Sequence, residues 1–535
     1  MTTDVLVVGG GPTGLLTACE LLRRGVGVRI VDRAPAPVPY SKALLLWPRT
    51  VDVLTELGLA GEVARRSIPI AAFRYYSEGR ELADVRFPDA LASRALPQRS
   101  TEEMLRERLR TLGGHVEHGV RLLAFDRLDY TGDPARSDGV TAILEHTDGR
   151  VERATASWVV GADGAGSAVR AQLGIAFGGA TYPSYFVLGD AFLAEGELAA
   201  DEAHYFQSRR GVLVVVALPG GLFRFFASAA AEPGRVELAD VQRLVDERGP
   251  GGLVLRDPEW TSAFRVHRRQ AESFQLGRVF LVGDAAHAHS PAGGQGLNTG
   301  LQDGHNIAWK LAEVVRGRAG YGLLASYTPE RHGVARAVLR DTDIQTRAWM
   351  TQRGSLVAAR DTALRLAHRS GLIERAYLPT MAGRRWRYPA AASTALLPPA
   401  RGEDRGVLRV GTALTPDLAD RLGLPTGPPS GEVPGWVLVH AEPAPPVPLP
   451  SGVAGLAAPA LPGLPGCRRT EFVLVRPDGV VAARGRAADA PGLREWLDGV
   501  RMPAQRVSAD SSSGPRDRVV ENSPQRNPGR PAAVR

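Results

Sequence analysis

The stretch DVLVVGGGPTGLLTACELLRRGVGVRIVD, residues 4–32, decides the fold. A short apolar run leads into a GxGxxG loop, a helical pattern and a second apolar run that ends at Asp32, 18 residues after Gly14. Such a unit lets the chain turn tightly beside a pyrophosphate, whose charge the helix N-terminus stabilises. A carboxylate at the position of Asp32 is typical of ribose binding, and a solvated strand end is the simpler alternative. The stretch therefore predicts dinucleotide binding by a loop that contains Gly9, Gly11, Thr13 and Gly14.

A second glycine-rich stretch, GDAAHAHSPAGGQGLNTGLQDGHNIAWKL, covers residues 283–311. Asp284 follows an apolar run, and a proline, three glycines and a helical pattern come after it. A carboxylate accepts hydrogen bonds from sugar-type hydroxyls, and glycines let main-chain N–H groups approach a planar ligand closely. A helix that opens at this point adds positive potential. Taken alone, the stretch also fits an ordinary strand–turn–helix connection.

A third segment, VVGADGAGSAVR at residues 159–170, again reads as a strand, a turn and a helix. Asp-Gly is a common turn, and Ser167 is a residue type that often caps a helix. These local interpretations are sufficient for the segment by itself.

In this order and at these distances, the three segments resemble the class A flavoprotein monooxygenases. These FAD-dependent aromatic hydroxylases are typified by para-hydroxybenzoate hydroxylase and phenol hydroxylase. The family has an N-terminal GxGxxG, a central DGxxSxVR and a later GD that continues into PxxGxGxN. Here the motifs lie at residues 9–14, 163–170 and 283–298. The resemblance covers about residues 3–390 and, more weakly, the rest of the chain. It is strongest to actinobacterial hydroxylases that tailor aromatic polyketides.

The resemblance implies roles for individual residues. Asp32 is expected on the adenosine ribose of FAD, with Arg33 near the adenine. Asp284 is expected to bind the ribityl chain, Gln98 to contact FAD, and Asp163 to be linked to both FAD and nicotinamide-nucleotide binding. The next loop is implied to surround the isoalloxazine ring, where its amides would stabilise the negative charge of reduced flavin. Its residues are Pro291, Gly294, Gly296, Leu297 and Asn298.

Lys42 marks a departure from the family pattern. The family usually has an arginine near the FAD pyrophosphate, in a Ser-Arg-Ala-like sequence. Here the sequence at residues 41–43 is Ser-Lys-Ala, and Lys42 is one of only two lysines in the chain. A lysine keeps the charge but loses the bidentate fork of arginine. A phosphate contact and a solvated position remain alternatives for Lys42, and Arg49 is another cation that could serve.

The predicted fold class is α/β, with a Rossmann-like FAD domain of the GR2 type, an interleaved antiparallel-sheet substrate domain and a C-terminal thioredoxin-like α/β domain. The last domain lacks the redox CxxC, so a structural or dimerisation role is expected. Within it, the Pro-rich residues 442–466 are predicted to form a long surface loop. The expected FAD-domain segments are residues 1–71, 98–177 and 276–390, the last including a helical region. The remaining segments are 72–97 and 178–275 for the substrate domain, 401–502 for the thioredoxin-like domain, and 503–535 for a disordered tail.

Composition excludes several other classes of protein. The net charge of +8 is small for 535 residues, and residues 501–535 contribute seven arginines against three acidic residues. No basic-aromatic pattern predicts a nucleic-acid partner, and no His/Cys spacing predicts a metal site. No signal peptide or long apolar run is evident, so a cytoplasmic protein without a membrane partner is expected, as a monomer or homodimer.

The resemblance implies an oxidoreductase cycle. NADPH or NADH would reduce FAD, O2 would form a C4a-hydroperoxide, and an aromatic, phenolic, polyketide-type small molecule would be hydroxylated. No catalytic residue can be assigned. His204, His267, His287 and His289 are candidates by residue type alone, and the orientation of Arg224 and Arg265, towards the cavity or towards solvent, is left open.

Several alternatives remain at this point. The main one is a Baeyer–Villiger-type or epoxidising flavin monooxygenase on a similar polycyclic substrate. A non-catalytic FAD-binding partner and an NAD-dependent dehydrogenase that uses only residues 9–32 are others. The single GxGxxG disfavours enzymes with two Rossmann folds, and the absence of a WxWxIP-like element disfavours a halogenase.

Overall fold

A computed structural model describes residues 3–39, 42–229, 231, 233–389, 407–424, 435–443 and 445–501. All of these belong to one compact unit, residues 1–504. The predicted tail at residues 503–535 and parts of the predicted C-terminal domain lie outside the described residues.

The first sheet has eight strands and is built on the sequence that decides the fold. Strand β1 lies in the middle, parallel to β2 on one side and to β11 on the other. β8 and β18 extend this parallel arrangement, whereas β9, β10 and β17 join it in antiparallel pairs. The strands are β1 (Thr3–Val8), β2 (Val28–Asp32), β8 (Val116–His118), β9 (Val120–Arg127), β10 (Val140–His146), β11 (Val151–Gly161), β17 (Gln275–Leu276) and β18 (Val279–Leu281).

Helix α1 (Pro12–Leu22) follows β1 and packs against α4 (Gln98–Thr111) and α7 (Gly296–Val315). Pro12 begins α1 because its fixed φ suits a first helical turn. Two glycines of α7 allow close contact with α1, since a Cβ at Gly300 would meet the Thr13 hydroxyl and one at Gly304 the Thr17 hydroxyl. The parallel strands and these helices share one apolar core.

The second sheet also has eight strands, in the order β19-β16-β12-β15-β14-β13-β5-β6. All neighbours are antiparallel except β13 and β5. The strands are β5 (Ala72–Ser77), β6 (Arg80–Arg86), β12 (Phe177–Glu195), β13 (Glu202–Ser208), β14 (Gly211–Ala217), β15 (Leu222–Ala229), β16 (Val254–Ala271) and β19 (His287–Ala288).

Strand β14 shows why this part of the sequence is apolar without alternation. Its residues are all buried because both faces of the sheet are covered. Leu213 and Val215 pack towards α6 (Leu238–Arg248), whereas Val214 and Val216 face the opposite side. The period of two along the strand therefore separates an outer core from an inner wall.

Smaller elements connect the two sheets. A three-stranded sheet contains β3 (Leu45–Leu46), β4 (Ile68–Ile70) and β7 (Ser93–Ala95). The remaining helices before the C-terminal region are α2 (Pro48–Glu56), α3 (Ala60–Arg66), α5 (Ala168–Gln172), α8 (Gly322–Ala325), α9 (Tyr327–Trp349), α10 (Gly354–Arg369) and α11 (Leu378–Met381).

Within its described residues, the C-terminal region has its own four-stranded sheet in the order β21 (Val453–Ala457), β20 (Trp436–His440), β22 (Phe472–Val475) and β23 (Val481–Gly485). β20 is parallel to β21 and antiparallel to β22, which in turn is antiparallel to β23. The prediction of one long loop over residues 442–466 is wrong, because β21 lies within it and pairs with β20. This region also contains α12 (Pro416–Arg421) and α13 (Ala490–Arg501).

Among the described residues, no helix combines the length and the apolar character needed to cross a membrane. Within the same residues, no group of three His, Cys, Asp or Glu side chains is arranged to hold a metal ion.

Candidate active site

One large cavity lies where the first sheet, the second sheet and the start of α7 meet. Its volume is about 1220 Å³, above the roughly 300–1,000 Å³ typical of small-molecule sites. It therefore has room for more than one ligand. The predicted site residues that line it are Gly11, Thr13, Asp32, Lys42, Gln98, Asp284, Pro291, Gly294, Gly296 and Leu297.

The glycines of the first loop divide into two kinds. A Cβ at Gly9 would overlap the Ala162 carbonyl, and one at Gly14 would overlap the Gly9 carbonyl, so both shape the loop without lining the cavity. A Cβ at Gly11 would meet no atom within 4 Å, and Gly11 opens onto the cavity. Helix α1 begins here with no side-chain cap, which leaves its first amides free to bind a ligand.

Asp32 stands at the end of β2 and lines the same part of the cavity. Its carboxylate accepts hydrogen bonds from the amides of Gly10 at 2.5 Å and Ala34 at 2.7 Å, which fix its orientation. Arg33 is exposed and does not line the cavity.

Helix α4 contributes a polar face that the sequence reasoning only partly found. Gln98 donates to Glu102 at 2.9 Å, and Arg106 donates to Glu102 at 2.5 Å. All three line the cavity, and burial raises the pKa of Glu102. Their spacing of four residues places them on one helix face, and this signal could have identified Glu102 and Arg106 from Gln98.

Asp284 lines the cavity at its other end and is accessible through it. The surrounding protein nevertheless raises the pKa of Asp284, chiefly by limiting the hydration of its carboxylate. The residue before it, Gly283, has a φ of +59° and donates its amide to Asp303 at 3.1 Å. This local geometry turns the Asp284 side chain towards the cavity.

The loop before α7 presents backbone to the cavity. Gly293 and Gly294 have φ values of +69° and +61°, which other residues rarely adopt. Asn298 does not line the cavity. Its side chain instead accepts from the Trp47 amide and donates to the carbonyls of Leu45 and Gly294, at 2.7–2.8 Å. Asn298 therefore fastens the loop to β3, and α7 begins without a side-chain cap.

Asp163 also lies outside the cavity wall, although its neighbours Gly164 and Ala165 line it. Its carboxylate accepts from the Ser167 hydroxyl at 2.5 Å and the Val169 amide at 3.1 Å. Ser167 in turn accepts from the Arg170 amide and caps α5. The local cap that the sequence suggested is present, and it fixes the shape of the Gly164 turn.

The second sheet supplies an apolar, aromatic wall. Phe226 stacks on Phe186 with ring centroids 4.9 Å apart, and the ring centroids of Tyr205 and Trp349 are 5.9 Å apart. A wall of this kind suits a flat ring system. The sheet residues that line the cavity are Leu188, Tyr205, Val214, Val216 and Phe226, and Trp349 at the end of α9 completes this wall.

The cations whose orientation was open can now be placed. Lys42, Arg224 and Arg265 line the cavity, with the Lys42 ammonium 5.3 Å from the centroid of the Phe264 ring. Arg224 is buried in a bidentate pair with Asp190 at 2.6–2.7 Å. The suggestion that Arg49 could replace an arginine at the pyrophosphate is wrong. Its side chain is buried away from this cavity and donates to the Asp478 carbonyl at 2.8 Å.

Two of the four candidate histidines line the cavity, His267 and His289. Burial, together with the nearby His287, lowers the pKa of His289 to about 4, so its imidazole is neutral at physiological pH. Burial and neighbouring arginines also lower the pKa of His267. His204 and His287 do not line the cavity. His287 is fully buried, and its Nε2 lies 2.6 Å from the Oδ2 of Asp303.

The sequence and fold match known flavoproteins. The family model described as an FAD binding domain matches residues 2–342. A 6-methylpretetramide 4-monooxygenase of Streptomyces rimosus is 39% identical over 382 residues, 69% of this chain and 65% of that protein. A flavin-dependent monooxygenase of Mycobacteroides abscessus is 38% identical over 371 residues, 65% of this chain and 76% of that protein. The solved structure of the anhydrotetracycline hydroxylase OxyS from Streptomyces rimosus superposes with a TM-score of 0.75 at 28% identity, covering 94% of this chain and 100% of that one.

The chain belongs to this FAD-binding family, and the resemblance to polyketide-tailoring monooxygenases is confirmed. FAD is its cofactor, and NADPH or NADH is the co-substrate typical of the family. The cavity fits FAD because two uncapped helix N-termini, those of α1 and α7, open onto it. Such N-termini favour anionic groups.

Proposed function

We propose that the chain is an FAD-dependent monooxygenase that uses NADPH or NADH and O2 to hydroxylate an aromatic, phenolic small molecule of polyketide type. The observation that carries the proposal is one cavity that is lined both by two uncapped helix N-termini and by an aromatic wall. One ligand-binding half suits a nucleotide cofactor and the other a flat apolar substrate.

In this proposal the part of the cavity between the starts of α1 and α7 would hold FAD. Asp32 accepts from the adenosine ribose, and the amides at Gly11 and Thr13 bind the pyrophosphate, with Lys42 as a further cation. Asp284 accepts from the ribityl hydroxyls. When bound, FAD would supply the redox chemistry that transfers electrons from NADPH or NADH to O2. The amides at Gly296 and Leu297, helped by the dipole of α7, stabilise negative charge at the ring.

The substrate would lie against the second sheet. The wall of Val214, Val216, Phe226 and Trp349 excludes water from one side of a flat ring. One relative in Streptomyces rimosus carries the name of a polycyclic substrate, 6-methylpretetramide, and the structural neighbour that of anhydrotetracycline. These names support a polycyclic phenolic substrate for this chain as well.

Arg265, which also lines the cavity, would promote the reaction by favouring an ionised phenol. A phenolate carries more electron density on its ring than a phenol, and a nearby cation lowers the pKa of the phenolic group. His289 is a weak base because its pKa is lowered to about 4. The proposal therefore assigns substrate ionisation to the positive potential of the cavity and not to a histidine.

The proposal also includes a thioredoxin-like C-terminal domain without redox chemistry. A parallel pair, β20 and β21, followed by an antiparallel hairpin, β22 and β23, and a closing helix supports this assignment. The two cysteines, Cys19 and Cys467, are both buried and free, and neither forms part of a CxxC motif.

The test is a comparison of flavin content with substrate-stimulated oxidation of NADPH. The purified chain is expected to be yellow or to bind added FAD, and its NADPH oxidation is expected to accelerate with 6-methylpretetramide or anhydrotetracycline. A protein that takes up no FAD would contradict the cofactor assignment. Bound FAD without stimulation by any phenolic polycycle would favour a non-catalytic partner instead.

A further inference from the structure

A turn of the C-terminal domain penetrates the core of the FAD-binding part. Arg476 and Asp478, in the turn between β22 and β23, are each only 2% exposed, although turns usually lie at the surface. Arg476 donates to Asp478 at 2.9 Å and to Glu330 of α9 at 2.8 Å. Glu330 also accepts from Lys310 of α7 at 2.8 Å. The turn therefore joins two helices that belong to the other domain.

The next residue of α9 continues this arrangement towards the cavity. Arg331 donates to Asp303 at 2.6 Å and to the Thr299 carbonyl, in the first turn of α7, at 3.1 Å. Asp303 accepts from the Gly283 amide at 3.1 Å. Gly283 directly precedes Asp284, so Asp303 and Arg331 hold both the Asp284 loop and the start of α7.

Tyr388 links the two halves. Arg331 donates to the Tyr388 hydroxyl at 3.0 Å. The guanidinium carbons of Arg476 and Arg331 lie 5.2 Å and 6.0 Å from the centroid of the Tyr388 ring. The aromatic face therefore lies within reach of both cations.

Six charged residues form what we call the interdomain charge cluster: Asp303, Lys310, Glu330, Arg331, Arg476 and Asp478. It is formally neutral, with three cations and three carboxylates, and its side chains are at most 3% exposed. Burial acts to raise the pKa of Glu330, but Arg476 and Lys310 lower it to about 2. Removal of one partner from such a group leaves an uncompensated buried charge.

We propose that Arg476 is a positioning residue for the flavin site. It completes the interdomain charge cluster and thereby holds the Asp284 loop and the first turn of α7 in the geometry that binds FAD. The inference rests on the placement of FAD against Asp284 proposed above. It gives the C-terminal domain a function that requires no disulfide chemistry.

The test uses Arg476→Met in the full-length chain, with FAD affinity of the apoprotein measured by flavin fluorescence. The FAD dissociation constant is expected to rise about tenfold, within the range of couplings between linked sites. Arg484→Met is the matched control, because Arg484 is a buried arginine of β23 that donates to the Leu408 carbonyl of its own domain. This control is expected to lower the melting temperature without changing FAD affinity.

A double-mutant cycle distinguishes a positioning role of Arg476 at the FAD site from a general loss of stability of the fold. In an Asp284→Asn background, Arg476→Met is expected to lose most of its effect on FAD affinity, since effects through one contact do not add. Tyr388→Phe tests the same link if Arg476→Met does not fold. It removes only the hydroxyl that accepts from Arg331, and about a two- to fivefold loss of FAD affinity is expected.

Unchanged FAD affinity in both Arg476→Met and Tyr388→Phe would overturn the inference. Equal losses in Arg476→Met and Arg484→Met, or full additivity with Asp284→Asn, would also overturn it. A distinct outcome concerns the proposed function. If Asp284→Asn alone binds FAD as tightly as the original chain, the placement of FAD at Asp284 is wrong.

Discussion

Asp284 shows how a single carboxylate serves binding at the expense of stability. Its pKa is raised because the surrounding protein limits its hydration. A carboxyl whose pKa is higher in the folded chain than in the unfolded chain destabilises the fold once the pH exceeds both values. The same charged group is a strong acceptor for hydroxyls. Sequence spacing could predict the residue, but not this environment, which depends on side chains far along the chain.

Asp284→Asn is therefore expected to change two properties in opposite directions. FAD binding should weaken by about 1.5–3 kcal/mol, the usual contribution of a hydrogen bond to a charged group. The melting temperature of the FAD-free protein at neutral pH should rise, because the unfavourable charge is gone. Flavin titration and thermal unfolding check the two expectations. The exposed Asp138→Asn is the control and should change neither. A lower melting temperature for the Asp284 variant would contradict the account.

At the scale of secondary-structure elements, the packing around the loop between β1 and α1 distinguishes the roles of the glycines in the GxGxxG motif. The GxGxxG spacing predicted the turn between β1 and α1, yet it could not separate glycines that face a ligand from those that allow packing. The structure makes that distinction through Ala162, which approaches Gly9 from β11's end, and through the Gly9 carbonyl beside Gly14. The contact between Gly9 and Ala162 joins the first motif to the segment at residues 159–170, so no local pattern reveals it.

Gly11→Ala and Gly14→Ala form a matched pair for this element. Gly14→Ala should destabilise the FAD-free protein by about 1–3 kcal/mol, as for an overpacked core, because the new methyl overlaps the Gly9 carbonyl. Gly11→Ala should leave that stability nearly unchanged and should weaken FAD binding, because its methyl projects into the cavity. Denaturant unfolding without FAD and flavin titration distinguish the two. The reverse ranking of stabilities would be incompatible with the loop geometry.

At the scale of the whole molecule, buried charges and histidines link distant segments. The burial of the turn at residues 476–479 is not evident from local sequence, since its partner Glu330, and Lys310 that donates to Glu330, lie in helices more than a hundred residues earlier. Likewise, the division of the second sheet into an outer core and a cavity wall depends on the position of α6, which the sequence of the strands alone does not reveal. The sequence motifs therefore predict the cofactor-binding region, whereas the cavity wall of the second sheet and the interdomain contact of the turn at residues 476–479 depend on tertiary packing.

Acid sensitivity is the whole-molecule prediction. Burial lowers the pKa of His204, His267 and His332, and that of His289 falls to about 4. The unfolded chain takes up these protons near pH 6.5, so the folded state loses stability as the pH falls from about 6.5 towards 4. Unfolding free energies measured across this range should show the decline.

His204→Phe should flatten that decline by up to about 1.4 kcal/mol per pH unit, the contribution of one proton. Its ring lies in a stack with Phe206, which a phenyl ring can join. The exposed His115→Asn serves as the control and should leave the slope unchanged. A slope that is the same in the His204 variant would show that this histidine titrates alike in both states.

The central claim is that one cavity holds FAD and an aromatic substrate for oxygen transfer. The most direct measurement is mass spectrometry of products formed by the FAD-loaded chain, NADPH and ¹⁸O2 with 6-methylpretetramide or anhydrotetracycline. We expect a product that carries one ¹⁸O atom as a new ring hydroxyl, at unchanged carbon connectivity. Label inserted between two carbons would indicate Baeyer–Villiger chemistry instead of hydroxylation. A product without ¹⁸O, or no product from a chain with bound FAD, would contradict the claim.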